Sequence, residues 1–306
     1  MSAARPHYGR RRFVALVCLA LIVGIPLFAL TVGQGRARVH RRRRSQAPAA
    51  AQARTRSKPS LRSDPLTTAT VKRYVASRSG NVSVAVEDLS APLAGGGYQQ
   101  WEFNPGGEFQ TASIIKADIL ETLLHQEGGP LRGSDAATAQ GMIEASSDSD
   151  ATDLWDLVGG AGAVADYNRL VGLKRTTPNT QGYWGETLTS AADQVKLLAQ
   201  LALPSRLLTT AERRYELSLM ENVDAGQNWG VTGGVPSGVT VALKNGWVPL
   251  TSYTDWEINS IGWVKGDGRD YLIAVLTAHD PSEQYGIDTI DKVSALVFHD
   301  LSPAAT

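Results

Sequence analysis

The chain has 306 residues, enough for two average domains or for one large domain with extensions, and 42% of them are apolar, which excludes wholesale disorder. The 30 basic and 30 acidic residues cancel but are segregated: residues 1–62 hold 14 Lys and Arg and no Asp or Glu, leaving 16 basic against 30 acidic residues, a net −14, in the remainder. So acidic a body argues against a nucleic-acid partner, which would require a basic groove or face.

Residues 1–12 form a basic tail, and residues 13–32 carry no charge. At about 1.5 Å per residue, a helix over Phe13–Val32 spans the roughly 30 Å hydrocarbon core of a bilayer. Arg10, Arg11 and Arg12 precede it and no clear small-x-small cleavage pattern follows, so the segment is predicted to be an uncleaved transmembrane signal anchor. Cys18, the only cysteine, lies inside it, which leaves no thiol chemistry or disulfide for the body. Residues 33–65, rich in Ala, Ser, Pro and Arg, read as a basic disordered linker. Its run Arg41–Arg44 is a candidate for binding anionic lipid or an anionic wall polymer. By charge bias alone that run would hold the body in the cytoplasm.

The folded domain is expected over 66–306. Val71, Tyr74 and Val75 have the spacing of a short amphipathic helix, and Val82, Val84 and Val86 alternate as in a half-buried strand. A second strand is predicted at 98–103, then a helix over 112–125 and further helices to about 223, with the glycines at 159–162 as a connection between two of them. Strands return at 239–247, 256–265 and 271–279, and a helix over 285–298 closes the chain. This order predicts an α+β fold: a five-stranded antiparallel sheet flanked by terminal helices, plus an all-helical subdomain.

Ser113 and Lys116 stand three apart at the start of a predicted helix, hence on one face, where free N–H groups favour a developing oxyanion. Lys116 has Ile114, Ile115, Ala117, Ile119 and Leu120 around it, a setting that lowers an amine's pKa and makes it a usable base. Ser147-Asp148-Ser149 lies between two helical segments, and Lys244-Asn245-Gly246 ends a strand in which Lys244 shares a face with Thr240 and Ala242. His125, His279 and His299 are unpaired in sequence and read as core or surface residues, and neither a metal site nor a cofactor is indicated.

In order, with one substitution in each of the last two and a shorter link before Ser147, these motifs resemble the Ser-x-x-Lys, Ser-Asp-Asn and Lys-Thr-Gly signature of the class A β-lactamase and penicillin-binding group of serine hydrolases. The resemblance covers about 66–300. It implies Ser113 as acyl-accepting nucleophile and Lys116 as its base or proton relay. It implies Ser147, assisted by Lys244, as proton donor to the leaving nitrogen, and the N–H groups of Ser113 and Trp247 as the oxyanion hole. Ser149, Asn245 and Gly246 would bind substrate, a β-lactam or a D-alanyl peptide, with Asp148 holding the turn. Lys116 and Lys244 would make the cleft a positive exception in an acidic body, able to attract a carboxylate. Such a site belongs outside the cytoplasm, which sets aside the charge bias. The family's Glu-x-x-Leu-Asn loop, whose Glu activates the deacylating water, is missing from 175–186; Glu186 is the only acid there, expected as a charge at the start of the next helix and, in the alternative, as the water activator. Nor does the strand after Lys244 offer an Arg to grip a carboxylate. Acylation is therefore better supported than rapid deacylation, and the competing reading is a module that binds β-lactam or wall peptide without turnover.

Overall fold

The computed structural model describes residues 61–252 and 254–302, all within a unit spanning Ser57–Thr306. The expected membrane anchor, its Cys18 and most of the linker lie outside the described residues. Among the described residues no helix is long and apolar enough to cross a membrane.

Helix α1 (Ala69–Ala76) leads into β1 (Asn81–Asp88), β2 (Gln99–Phe103) and the two-residue β3 (Phe109–Gln110). The helical block follows: α2 (Ile115–Glu127), α3 (Gly133–Glu144), α4 (Asp148–Val158) and α5 (Gly160–Val171), then β4 (Leu188–Thr189), α6 (Ala191–Ala202) and α7 (Thr210–Met220). Strands β5 (Thr240–Ser252), β6 (Asp255–Gly266) and β7 (Arg269–Asp280) precede the closing α8 (Glu283–Asp300). The main sheet is antiparallel in the order β2-β1-β7-β6-β5, and β3 pairs with β4 apart from it. The five-stranded α+β architecture expected from sequence is therefore present.

Helix starts follow local capping. Thr68, Ser147, Ser190 and Ser282 each accept a hydrogen bond from a backbone N–H of the first turn, and Thr209 forms a capping box with Glu212. Gly159, left-handed at φ 102°, ends α4, the helix connection expected there.

Strand β1 departs from the half-buried expectation: seven of its eight residues are buried. The sheet is covered on both faces, so the polar positions of the alternation are enclosed too. On one face Val84, Val86, Ile273 and Val275 pack with Ile290, Val293 and Val297 of α8. On the other, Ala85, Leu272, Ala274 and Ile261 join Leu120, Leu197 and Leu198 of the helical block. Burial of this kind contributes about 25 cal/mol per Å² of apolar surface. The body also begins earlier than residue 66. Arg62 pairs with Asp88 at 3.2 Å, and its N–H donates to Gln99 Oε1 at 2.8 Å.

Candidate active site

Ser113 lies in a 3-10 turn, Ala112–Ile114, immediately before α2. Ala112 is left-handed, at φ 45°, a conformation that costs a residue with a Cβ about 1–3 kcal/mol and persists only where the surroundings hold it. Thr111 N–H donates to Thr187 O at 2.8 Å, and Asn259 Nδ2 donates to Gln110 O at 2.8 Å and Thr111 O at 3.2 Å. Gln110 N–H donates to Glu257 Oε2 at 2.9 Å, a carboxyl whose pKa burial pushes up to about 8. Strand β5 presses on the same turn at Gly246, where a Cβ would sit 2.6 Å from Ser113 N and 2.8 Å from Thr111 O. Only glycine fits there, so Gly246 brings the two chain segments together rather than offering a side chain to substrate.

The two lysines meet on one hydroxyl, and it belongs to Ser146. Lys116 Nζ donates to Ser146 O at 2.7 Å, to Ser146 Oγ at 3.2 Å and to Asp148 Oδ1 at 2.7 Å. Lys244 Nζ donates to the same Ser146 Oγ at 2.8 Å and to Asn245 O at 3.0 Å. Ser146 is itself left-handed, at φ 56°, which turns its hydroxyl back toward the lysines. Ser147, the expected proton donor, is the N-cap of α4: its Oγ accepts from Asp150 N at 3.3 Å and pairs with Ser149 Oγ at 3.1 Å. The motif's register thus moves by one, and Asp148 rather than Ser149 stands where the resembled signature has Asn. Ser149 is exposed and bonded to Ser147. Asp148 does more than hold the turn, since it pairs with Lys116.

Both amines are pushed toward neutrality. Burial lowers the Lys116 pKa, opposed by its hydrogen bond to Asp148 and the charges of Asp148 and Asp150. Burial lowers Lys244 much further, with the Lys116 charge acting in the same direction. Because Lys116 and Lys244 are 0% and 1% exposed, the positive cleft expected from them is absent as a surface feature. The group that faces solvent is Asp148, its side chain 78% exposed.

Asn245 is corrected as well. It is fully buried: Nδ2 donates to Gln227 O at 2.7 Å and Trp229 O at 3.1 Å, while Oδ1 accepts from Ser260 Oγ at 2.6 Å. The side chain is used to hold the segment before β5 and does not reach substrate.

In front of Ser113 opens a cleft of about 380 Å³, walled by Trp184, Tyr183, Glu186, Asp148 and Trp247. The Trp184 ring centroid lies 4.9 Å from Lys116 Nζ, and its Nε1 donates to Thr152 Oγ1 at 3.2 Å. An indole therefore covers the lysine from the side of the loop. Nothing in the sequence of that loop, which has no apolar period, singled out Trp184. Glu186 is exposed at the rim and accepts from Asn179 Nδ2 at 3.1 Å. It ends the 3-10 turn Trp184–Glu186 and is separated by β4 from α6, whose cap is Ser190, so it is not a helix N-terminal charge. Trp247 lines the cleft with Trp229 edge-on behind it, centroids 5.9 Å apart. Trp263 Nε1 donates to Asp270 Oδ1 at 2.7 Å. His125 Nδ1 contacts Leu207 O, and His279 and His299 contact Asp255 and Asp300.

Comparison with known proteins agrees with the fold. The chain superposes on a class A β-lactamase from Bacteroides cellulosilyticus with a TM-score of 0.65 at 18% identity, covering 76% of this chain and 95% of that one. A class A β-lactamase from Mycobacterium abscessus gives 0.61 at 19% identity over 74% and 96%. A structure named PBP-A gives 0.63 at 19% over 75% and 93%. At such identities the likeness is one of fold. Among curated sequences, LppW of Mycobacterium tuberculosis, whose name describes a lipoprotein, is 26% identical over 196 residues, 61% of this chain. The chain spans 62% of the length of that relative. The family described as the β-lactamase enzyme family matches residues 134–301, more than half of the chain, beginning after Ser113 and Lys116 and including Ser146 and Lys244. The chain belongs to that family.

Proposed function

We propose that this protein is a serine acyl hydrolase that forms an acyl-Ser113 intermediate and releases it slowly. The observation that carries this reading is the convergence of two buried amines on Ser146 Oγ beside the cleft that Ser113 lines. Burial lowers both amines, Lys244 further than Lys116, whose pairing with Asp148 opposes the shift, so Lys244 is the amine proposed to take the proton. On attack, Ser113 Oγ bonds to the substrate carbonyl carbon, and its proton passes through the Ser146 hydroxyl to Lys244. The N–H groups of Ser113 and Trp247 stabilise the oxyanion. When the bond to the leaving nitrogen or oxygen breaks, the proton returns by the same path to the departing atom. Hydrolysis of the ester then needs an activated water. The only acid on the loop, Glu186, is exposed and at the rim, and Trp184 covers Lys116. That pairing supports slow release, and its limit is the second reading, a module acylated once and held.

Residues 13–32 are proposed to tether the domain outside the cytoplasm, with 33 to about 60 as the linker. The lipoprotein name of the relative supports association with a membrane. Contact of Arg41–Arg44 with anionic lipid or wall polymer remains part of the proposal.

The test is pre-steady-state. A p-nitrophenyl ester, and separately a penicillin, is mixed with the protein while released phenolate or intact mass is followed. A burst of one equivalent followed by slow turnover, abolished by Ser113→Ala, is the expected result. No Ser113-dependent product or adduct with either compound would refute the reading.

A further inference from the structure

The groups by which such a cleft would hold a carboxylate are turned inward. Lys116 donates to three acceptors and Lys244 to two, and neither has more than 1% of its surface exposed. Asn245, which follows Lys244 where the resembled motif has a hydroxyl, spends both of its amide donors' and its carbonyl's directions on Gln227, Trp229 and Ser260. What faces the cleft is the opposite charge: Asp148, 78% exposed beside Ser113, and Glu186 at the loop rim. The remaining wall is aromatic, from Tyr183, Trp184 and Trp247, and none of the described side chains lining the cleft is Lys, Arg or His. Tyr183 is itself 61% exposed, an apolar face open to a ligand.

We infer that the cleft is built for acyl donors without a carboxylate beside the scissile bond, with uncharged or cationic leaving groups. The inference rests on the acyl-Ser113 reading and narrows its substrate class. Glu186 repels an anion, Asp148 already holds Lys116 as its own ion-pair partner, and the buried lysines present no surface on which a carboxylate could be bound. A cation gains from the same carboxylates and from the electron-rich faces of the rings.

Three esters of phenylacetylglycine separate the outcomes: those of phenol, 3-carboxyphenol and 3-(aminomethyl)phenol. They share the acyl group and vary the charge of the leaving group, and each enzymatic rate is divided by the ester's own alkaline hydrolysis rate to remove differences in leaving ability. The neutral and cationic esters are expected to acylate Ser113 about tenfold faster than the anionic one. Raising salt to 1 M, where the Debye length is about 3 Å, compresses the ratio. Glu186→Lys raises the anionic ester's relative rate several-fold. An anionic ester that is equal or faster, or a ratio unmoved by both salt and Glu186→Lys, overturns the inference and leaves the acyl-serine reading intact. Failure of all three esters to acylate Ser113 overturns both.

Discussion

Helix α2 carries buried ionisable groups at two neighbouring places, and they are handled differently. Around Lys116, every amine donor has an acceptor, and the cluster opens onto the cleft through Asp148. A few residues on, Asp118 and Glu121 are buried with Glu216 of α7. Asp118 accepts from Asn168 at 2.8 Å and Glu121 from Tyr167 at 2.7 Å, but neither oxygen of Glu216 receives a hydrogen bond from the described residues. No cation among the described residues stands with them, and burial raises all three: Asp118 to about 7, Glu121 and Glu216 well above the usual carboxylate range. The basic cluster has the connections of a proton relay. The acidic one is carboxyl packing held toward the neutral form, because ionising it would leave uncompensated charge.

Predictions that break this contrast begin with the relay. Ser146→Ala removes the hydroxyl shared by the lysines and is expected to slow acylation by about 10²–10⁴-fold, the range for a lost acid–base group. Ser147→Ala removes a helix cap instead, costing about 1 kcal/mol of stability and leaving acylation within a few-fold. Stopped-flow acylation and chemical unfolding of the two variants distinguish the roles.

The acidic cluster is tested by pH. Asp118 is protonated in the folded chain up to about pH 7 but ionised above about pH 4 when unfolded, so the folded state binds more protons in between. Stability conferred by this group is complete below the unfolded pKa and is lost as pH rises to the folded one. Between pH 5 and 8 the loss from Asp118 alone is about 3 kcal/mol, and Asp118→Asn should flatten that slope in urea titrations.

Asp148 sharpens the basic side. Acylation should rise with pH as the lysine pair gains a neutral amine, and the rise should finish below the ordinary lysine pKa because burial lowers both amines. Asp148 raises both lysines, so Asp148→Asn should move the rising limb to lower pH, read from a pH–rate profile. The smallest effect is expected at the wall. Trp184→Ala uncovers Lys116 to water and should speed release of the acyl group about two- to fivefold, roughly 0.4–1 kcal/mol, measured as loss of adduct mass.

Much of this was legible in the sequence because strand alternation and motif order survive without side-chain detail. The five strands, the Ser113–Lys116 spacing and the return of Lys244 on β5 are of that kind. Alternation also carried a signal against Asn245: if Lys244 faces the cleft with Ala242, its neighbour faces the other way with Leu243, into the core where it is found. Choosing between Ser146 and Ser147 needed three dimensions. They are adjacent and chemically identical, and a left-handed φ at the first decides which hydroxyl meets the lysines. Trp184 was invisible for a different reason, since a loop position is fixed by its hydrogen bonds and not by any period.

The most direct test is to locate the acyl group. The protein is quenched during the burst with a neutral phenylacetylglycyl ester, digested, and its peptides sequenced by mass. The acyl mass on Ser113, present in Ser147→Ala and lost in Ser146→Ala, is the predicted result. Acylation of another residue, or equal labelling of Ser113 in both variants, would contradict the mechanism proposed for this site.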